Sequence, residues 1–140
     1  MGSQLENIQE ALNSHLNSLQ SANVVWPNAG ASYTPSPGIP FLAVHNLFLP
    51  THQATLGEGG GENLVSGIYQ IDAHVPEGAG WSGLMQKADQ VIDYFKRGTS
   101  LTYGGVTVRI TKATPEISIR EGGWFRLPVS IYWEAFTLNT

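Results

Sequence analysis

The chain has 140 residues and a mass of 15.1 kDa, the size of one domain with a self-supporting core. Seven basic against eleven acidic residues give a net charge of −4, which argues against a module that holds nucleic acid mainly through its phosphates. The absence of cysteine excludes a disulfide scaffold, a thiolate zinc site and a cysteine nucleophile, and fits a reducing compartment.

Charged residues are only 13% of the chain, and 16 Gly and 8 Pro punctuate it. A surface with about half the usual charge is a first hint that part of it is buried against another chain. No apolar run approaches the roughly 18 residues of a membrane span. Met1 to Glu6 lacks the basic region and apolar core of a signal peptide. These features predict a soluble cytoplasmic protein of one domain, residues 1–140, with no internal repeat.

Residues 4–20 read as a helix, with Leu5, Ile8, Leu12, Leu16 and Leu19 on one face. Ser3 and Glu6 have the spacing of a capping box. One such stripe serves either a partner helix or the chain's own sheet. Residues 21–40 read as extended and rich in turns, because each residue before a proline is pushed out of the helical region; Trp26 and Tyr33 would pin this connector. Phe41 to Leu49 reads as a strand ended by Pro50, with Phe41, Ala43, Leu47 and Leu49 on one face and Leu42, Val44 and Phe48 on the other. A loop of about 13 residues, 51–63, is expected next.

Leu64 to Val75 reads as the second strand, with Val65, Tyr69, Ile71, Ala73 and Val75 buried and Ser66, Gln70, Asp72 and His74 opposite them. Residues 81–97 read as the second helix, striped by Trp81, Leu84, Met85, Ala88, Val91, Ile92 and Phe95, with Lys96 and Arg97 in its last turn and Gly98 ending it. Gly104-Gly105 is a hairpin signal between Leu101–Tyr103 and Val106–Ile110. Ile117 and Ile119 suggest a short strand, and Glu121-Gly122-Gly123 a turn. The final strand, Trp124 to Phe136, carries Phe125, Leu127, Val129, Ile131, Trp133 and Ala135 on one face and Trp124, Tyr132 and Phe136 on the other. Pro128 removes a ladder donor and suggests an edge or a bulge. The fold class is therefore α+β: a mainly antiparallel sheet packed by two helices, with a long loop between the first two strands. Two helices cover one face of such a sheet. The other face of the last strand needs either folded-over strands or a neighbouring chain.

Motifs for catalysis are weak. The glycines at 57–61 lack the Lys-Ser/Thr ending of a phosphate-binding loop and lead into a strand. No G-x-S-x-G is present. Asp72 and His74 share a strand face and, with His45 or His52, have the chemistry of a nitrogen–oxygen metal site, although a polar solvent face explains them as well. Arg109, Lys112 and Arg120 would form a small basic cluster if their strands paired. His15 lies near an apolar stripe and reads as a packing residue.

Several segments together resemble one family. They are Val25-Trp26-Pro27-Asn28, Thr34 through Pro40 into Phe41-Leu42, Thr55-Leu56-Gly57 and Ser66-Gly67-Ile68-Tyr69-Gln70-Ile71-Asp72. With them go Val75-Pro76-Glu77-Gly78-Ala79-Gly80, Tyr103-Gly104-Gly105-Val106 and Gly123-Trp124-Phe125-Arg126-Leu127-Pro128-Val129-Ser130-Ile131. Their order and separation over residues 5–136 resemble the tail terminator proteins of long-tailed bacteriophages, a group also described as a phage domain of unknown function and distantly similar to the terminator of phage lambda. The resemblance implies a non-enzymatic virion protein of the tail, assembled in the host bacterial cytoplasm, with no cofactor, no metal and no membrane. It implies a homo-oligomeric ring, hexameric, that caps the head-proximal end of the tail tube and stops its growth. Its partners would be the tail tube protein and a head-side connector, with DNA passing through the hole unread. A ring needs two different patches on each copy. Leu56, Glu58, Glu62, Trp124, Tyr132 and Phe136 are the interface residues proposed from the sequence, and Glu58 and Glu62 would repel DNA if they faced the hole. The alternatives are a neck or head-completion protein and a small metal-dependent hydrolase using Asp72, His74 and His52.

Overall fold

The computed structural model describes residues 4–19, 23–25, 41–53, 62–76, 78 and 81–138. In chain order these form α1 (Gln4–Asn17), β1 (Asn23–Val25), β2 (Phe41–Phe48), β3 (His52–Gln53), β4 (Glu62–Pro76) and α2 (Ser82–Tyr94). Then follow β5 (Ser100–Tyr103), β6 (Val106–Pro115), β7 (Ile119–Glu121) and β8 (Trp124–Leu138). One sheet holds every strand, in the order β1-β2-β4-β8-β6-β5, with β3 beside β4 and β7 beside β8. All pairings are antiparallel except β1 with β2.

Two fifteen-residue strands, β4 and β8, form the spine. They pair without interruption from Glu62 opposite Leu138 to Pro76 opposite Trp124. Each has a broken partner on its other side. β2 and β3 run along β4 with one extra residue between them, at the stretch holding Pro50. β6 and β7 run along β8, with a register shift between Ile110 and Lys112 and a further irregular stretch before Ile119. Such bulges bend and twist a strand, and they let the sheet curl.

The period of two along β4 and β8 sorts their side chains. Val65, Tyr69, Ile71, Ala73 and Val75, with Leu127, Val129, Ile131, Trp133 and Ala135, are buried on one face. Both helices cover this face, bringing Ile8, Leu12 and Leu16 from α1 and Leu84, Ala88 and Val91 from α2. Each such side chain removed from water contributes about 1.5–3 kcal/mol. The two-layer α+β reading thus holds.

A chain of hydrogen bonds ties α1 to the spine within this core. The Trp133 indole N–H donates to Asn46 Oδ1 at 3.0 Å, and Asn46 Nδ2 donates to Gln9 Oε1 at 3.1 Å. Gln9 Nε2 donates to Asn13 Oδ1 at 2.9 Å, and the Tyr69 hydroxyl donates to the same oxygen at 2.6 Å. The Trp133 ring lies over Gly67, directly across the ladder: a Cβ there would fall 2.6 Å from the indole and 2.4 Å from the Leu47 carbonyl oxygen. His15 is a packing residue, as expected. It stacks on Tyr94 and meets Phe95 edge-on, and its Nε2 lies 2.6 Å from the Tyr94 carbonyl oxygen.

Several expectations change in detail. α1 ends at Asn17, and Leu5 is 54% exposed, so the inward stripe is filled instead by Ala11 and the buried amide of Asn7. α2 ends at Tyr94, so Lys96 and Arg97 lie beyond its last turn, and Trp81 stands 68% exposed at its start. β1, β3 and the second half of β6 add strand where turns or loop were expected, and the described part of the 51–63 loop is already in the sheet at His52–Gln53 and from Glu62. Trp26, Tyr33 and Ser3 lie outside the described residues.

Pro128 is in a central strand, not an edge. Its carbonyl accepts from the Glu116 N–H at 2.8 Å. A strand residue points its N and its C=O to the same side, so the missing donor faces the break between β6 and β7 and costs no ladder bond there. Both glycine pairs do form tight hairpins: Gly104 and Gly105, and Gly122 and Gly123, all have positive φ, as a type I′ turn requires.

Candidate functional site

The sheet face turned away from the helices is the part of the fold that the core does not explain. Register places its side chains in rows across β2, β4 and β8: Leu47, Ile68 and Tyr132 in one, Ser66 with Glu134 in the next, and Leu64 with Phe136 four residues beyond the first. Leu47 is 48% and Phe136 50% exposed, and Ile68, Leu64 and Tyr132 are half-buried. The five form two apolar rows toward the Glu62/Leu138 end of the spine, separated by the polar Ser66–Glu134 row.

Charge lies between and beside these apolar rows. Arg109 Nη2 pairs with Glu134 Oε1 at 2.6 Å, and the Lys112 ammonium sits 5.1 Å from the centre of the Tyr132 ring. The ion pair is open to solvent and adds little stability; the cation over the ring is worth about 0.5–1 kcal/mol at such a site. A cleft of about 200 Å³ opens between Ser100, Thr107, Arg109, Glu134 and Phe136.

The other end of the same face is packed and polar. Phe41 stacks on His74 with ring centres 4.2 Å apart, and Trp124 meets Phe41 edge-on at 4.9 Å. Asp72 accepts from Arg126 Nη1 at 3.1 Å and from Gln70 Nε2 at 3.0 Å. Its carboxylate is therefore already satisfied. His74 directs Nδ1 to the Asp72 carbonyl at 3.1 Å. Among the described residues no group of three His, Cys, Asp or Glu stands close enough to hold a metal ion.

The sequence-proposed residues separate accordingly. Trp124, Tyr132 and Phe136 share the outer face of β8, but Trp124 packs within its own chain while Phe136 faces solvent. Glu62 heads β4 opposite Leu138. Leu56 and Glu58 lie outside the described residues. The basic cluster does not form: Arg109 lies opposite Glu134 and Arg120 opposite Phe125, roughly 30 Å apart along β8. Sequence reasoning passed over Leu64 and Ile68, which occupy outer positions in β4. The signal was present, as two apolar residues out of phase with the buried set.

Matches to known proteins decide the family. A family model described as phage tail terminator protein matches residues 7–133. The chain belongs to the phage tail terminator family. It is thus a structural component of the phage tail, and hence of the virion. No curated protein sequence matches this terminator chain. Nine solved chains resemble it. One superposes with a TM-score of 0.71 at 18% identity, covering 96% of each chain, which shows that the two share a fold. No described helix of this terminator is long and apolar enough to cross a membrane.

Proposed function

We propose that this terminator forms a hexameric ring on the head-proximal end of the tail tube, halts tube polymerisation and presents the joint to the head. The family match over residues 7–133 carries the reading. The apolar rows Leu47–Ile68–Tyr132 and Leu64–Phe136 on the open sheet face support it. Monomeric proteins rarely leave large apolar patches uncovered, and apolar side chains interspersed with polar ones are the make-up of a non-obligate protein contact. The protein acts by assembly and not by catalysis: Asp72 and His74, the core of the metal site considered from the sequence, are engaged in holding the sheet face. DNA passes through the hole without base readout, as a net charge of −4 on each copy favours. Assembly takes place in the host cytoplasm before the ring enters the virion.

Purified tail tube subunits, polymerised with and without the protein and imaged in negative stain, test this. Tubes should end in a ring and stay shorter in its presence, and light scattering should find a species near six times 15.1 kDa, about 91 kDa. Tubes that grow equally long in both samples reject the reading. Binding to the head connector without any binding to the tube would assign the protein to the neck.

A further inference from the structure

The sheet is open, and its strand order runs from β1 at one end to β5 at the other. β5 is anchored along one side and at both ends. The Gly98 N–H donates to the Ile110 carbonyl and the Ile110 N–H to the Thr99 carbonyl, each at 2.8 Å. The far end closes through Gly104, whose carbonyl accepts from Asn7 Nδ2 of α1 at 3.4 Å. The Ile110–Thr99 bond also fixes the phase of the ladder. Strand residues turn N–H and C=O to one neighbour and the other in alternation, so Leu101 and Tyr103 face β6 as Thr99 does, while Ser100 and Thr102 direct theirs away from the sheet. Both are exposed, and among the described residues no backbone hydrogen bond reaches that side. Proteins blunt such edges with charge, proline or a bulge; Ser100-Leu101-Thr102-Tyr103 has none of these.

A row of N–H and C=O groups at strand spacing is matched by another extended backbone, and pockets beside it take side chains of the added strand. Such a pocket is present: the cleft of about 200 Å³ between Ser100, Thr107, Arg109, Glu134 and Phe136 begins at β5 itself. We propose, resting on the ring reading, that β5 of one copy pairs along this edge with β1 of the next, so that the sheet continues from subunit to subunit. β1 is the opposite end of the same sheet and has β2 as its one neighbouring strand among the described residues. Its sequence, Asn23-Val24-Val25, is uncharged and carries aliphatic side chains of a size for the cleft. The two ends of an open sheet are unlike by construction, as a head-to-tail ring requires. β5 against β5 would instead close a two-fold dimer.

Thr102→Pro removes the outward N–H and keeps the Leu101 and Tyr103 bonds to β6, a position where edge strands accept proline. Thr102→Val keeps that N–H. Both should fold by circular dichroism. The proline variant should need about 10-fold or more protein to form rings, and the valine variant no more than the wild type. Amide hydrogen exchange of the wild type is a readout independent of any variant's folding: the Ser100 and Thr102 amides should exchange freely in dilute protein and become protected in the ring. The chain has no cysteine, so Tyr103→Cys mixed with Asn23→Cys, Val24→Cys or Val25→Cys and a short bismaleimide should give a covalent dimer from at least one mixture. Rings in which both amides stay unprotected, or a folded Thr102→Pro that builds rings at the wild-type concentration, overturn the pairing and leave the ring standing. Protection without a mixed dimer, in free rings or on tubes, gives the edge to another partner and overturns β1, as do dimers from Tyr103→Cys alone. Absence of any ring, alone or on tubes, removes the reading beneath both.

Discussion

Tyr69 shows how one residue converts burial into a measurable property. It is fully buried on the helix side of β4, and burial pushes its hydroxyl pKa well above the ordinary value of 10. The proton is retained and donated to Asn13 Oδ1. A raised folded-state pKa contributes stability fully present below the unfolded value and lost as pH climbs past it. Below pH 10, Tyr69→Phe should therefore cost about 1 kcal/mol for the lost hydrogen bond. Between pH 10 and pH 11 the wild type should lose about 1 kcal/mol relative to Tyr69→Phe, because only its unfolded state can release this proton. Urea unfolding followed by tryptophan fluorescence at pH 8, 10 and 11 checks this. A gap between the two proteins that stays constant across that range would show that Tyr69 ionises as readily folded as unfolded.

At the scale of elements, the hydrogen-bonded chain from Trp133 through Asn46 and Gln9 to Asn13 sets how α1 lies on the sheet. Leucines and isoleucines make the helix bind, and the amides choose its depth and rotation. Asn46→Ala strands both the Trp133 N–H and Gln9 Oε1 in a part-buried site, and should cost about 1–3 kcal/mol. Gln9→Ala should cost less, and the double variant should fall short of the sum by at least ~0.5 kcal/mol, as residues of one network do. Strict additivity in denaturant unfolding would mean that the amides act independently. Nothing in the sequence pattern marks this network, because an amide on a helix has the same period whether it faces water or an indole. What periodicity did reveal was every local choice repeated along an element, the inward set of β4 and β8 and both helices, while the glycine pairs marked the hairpin at 104–105 and the turn at 121–123. It failed where tertiary contact overrode local preference. Leu5 and Trp81 belong to helical stripes by spacing and yet stand outside the core, because the stripe runs past the edge of the sheet. Pro128 pointed to an edge or a bulge, and the break in the neighbouring strand that makes it harmless is invisible from β8 alone. The candidate site was half legible: Tyr132 and Phe136 stood out as aromatics on the wrong face, while Leu47 joins them only through the pairing of β2 with β4, which no local pattern reveals.

For the whole molecule, the two ends of the outer sheet face answer substitution differently, and this separates folding from assembly. Trp124 and Tyr132 look equivalent in sequence, being bulky aromatics on the same side of β8. In the fold, Trp124 packs edge-on against Phe41 beside His74, whereas Phe136 at the opposite end is half open to water. Trp124→Asp should remove packing within the chain and lower monomer stability by about 2–4 kcal/mol. Phe136→Asp should change monomer stability by no more than ~0.5 kcal/mol, as surface substitutions do, and yet put a charge on the open sheet face proposed to meet another subunit. Assembly should then weaken by roughly 100-fold or more, about 3 kcal/mol. Denaturant unfolding of dilute protein gives the first quantity, and light scattering against concentration, together with tube capping, gives the second. Tyr132→Asp should follow Phe136→Asp in assembly while also losing the Lys112 contact. If Phe136→Asp unfolds the isolated chain and Trp124→Asp leaves it intact, the Leu64–Phe136 row is part of the core and the subunit contact lies elsewhere. If Phe136→Asp folds normally and still builds rings at the wild-type concentration, the outer face is bare for another reason and the contact must be sought away from β8.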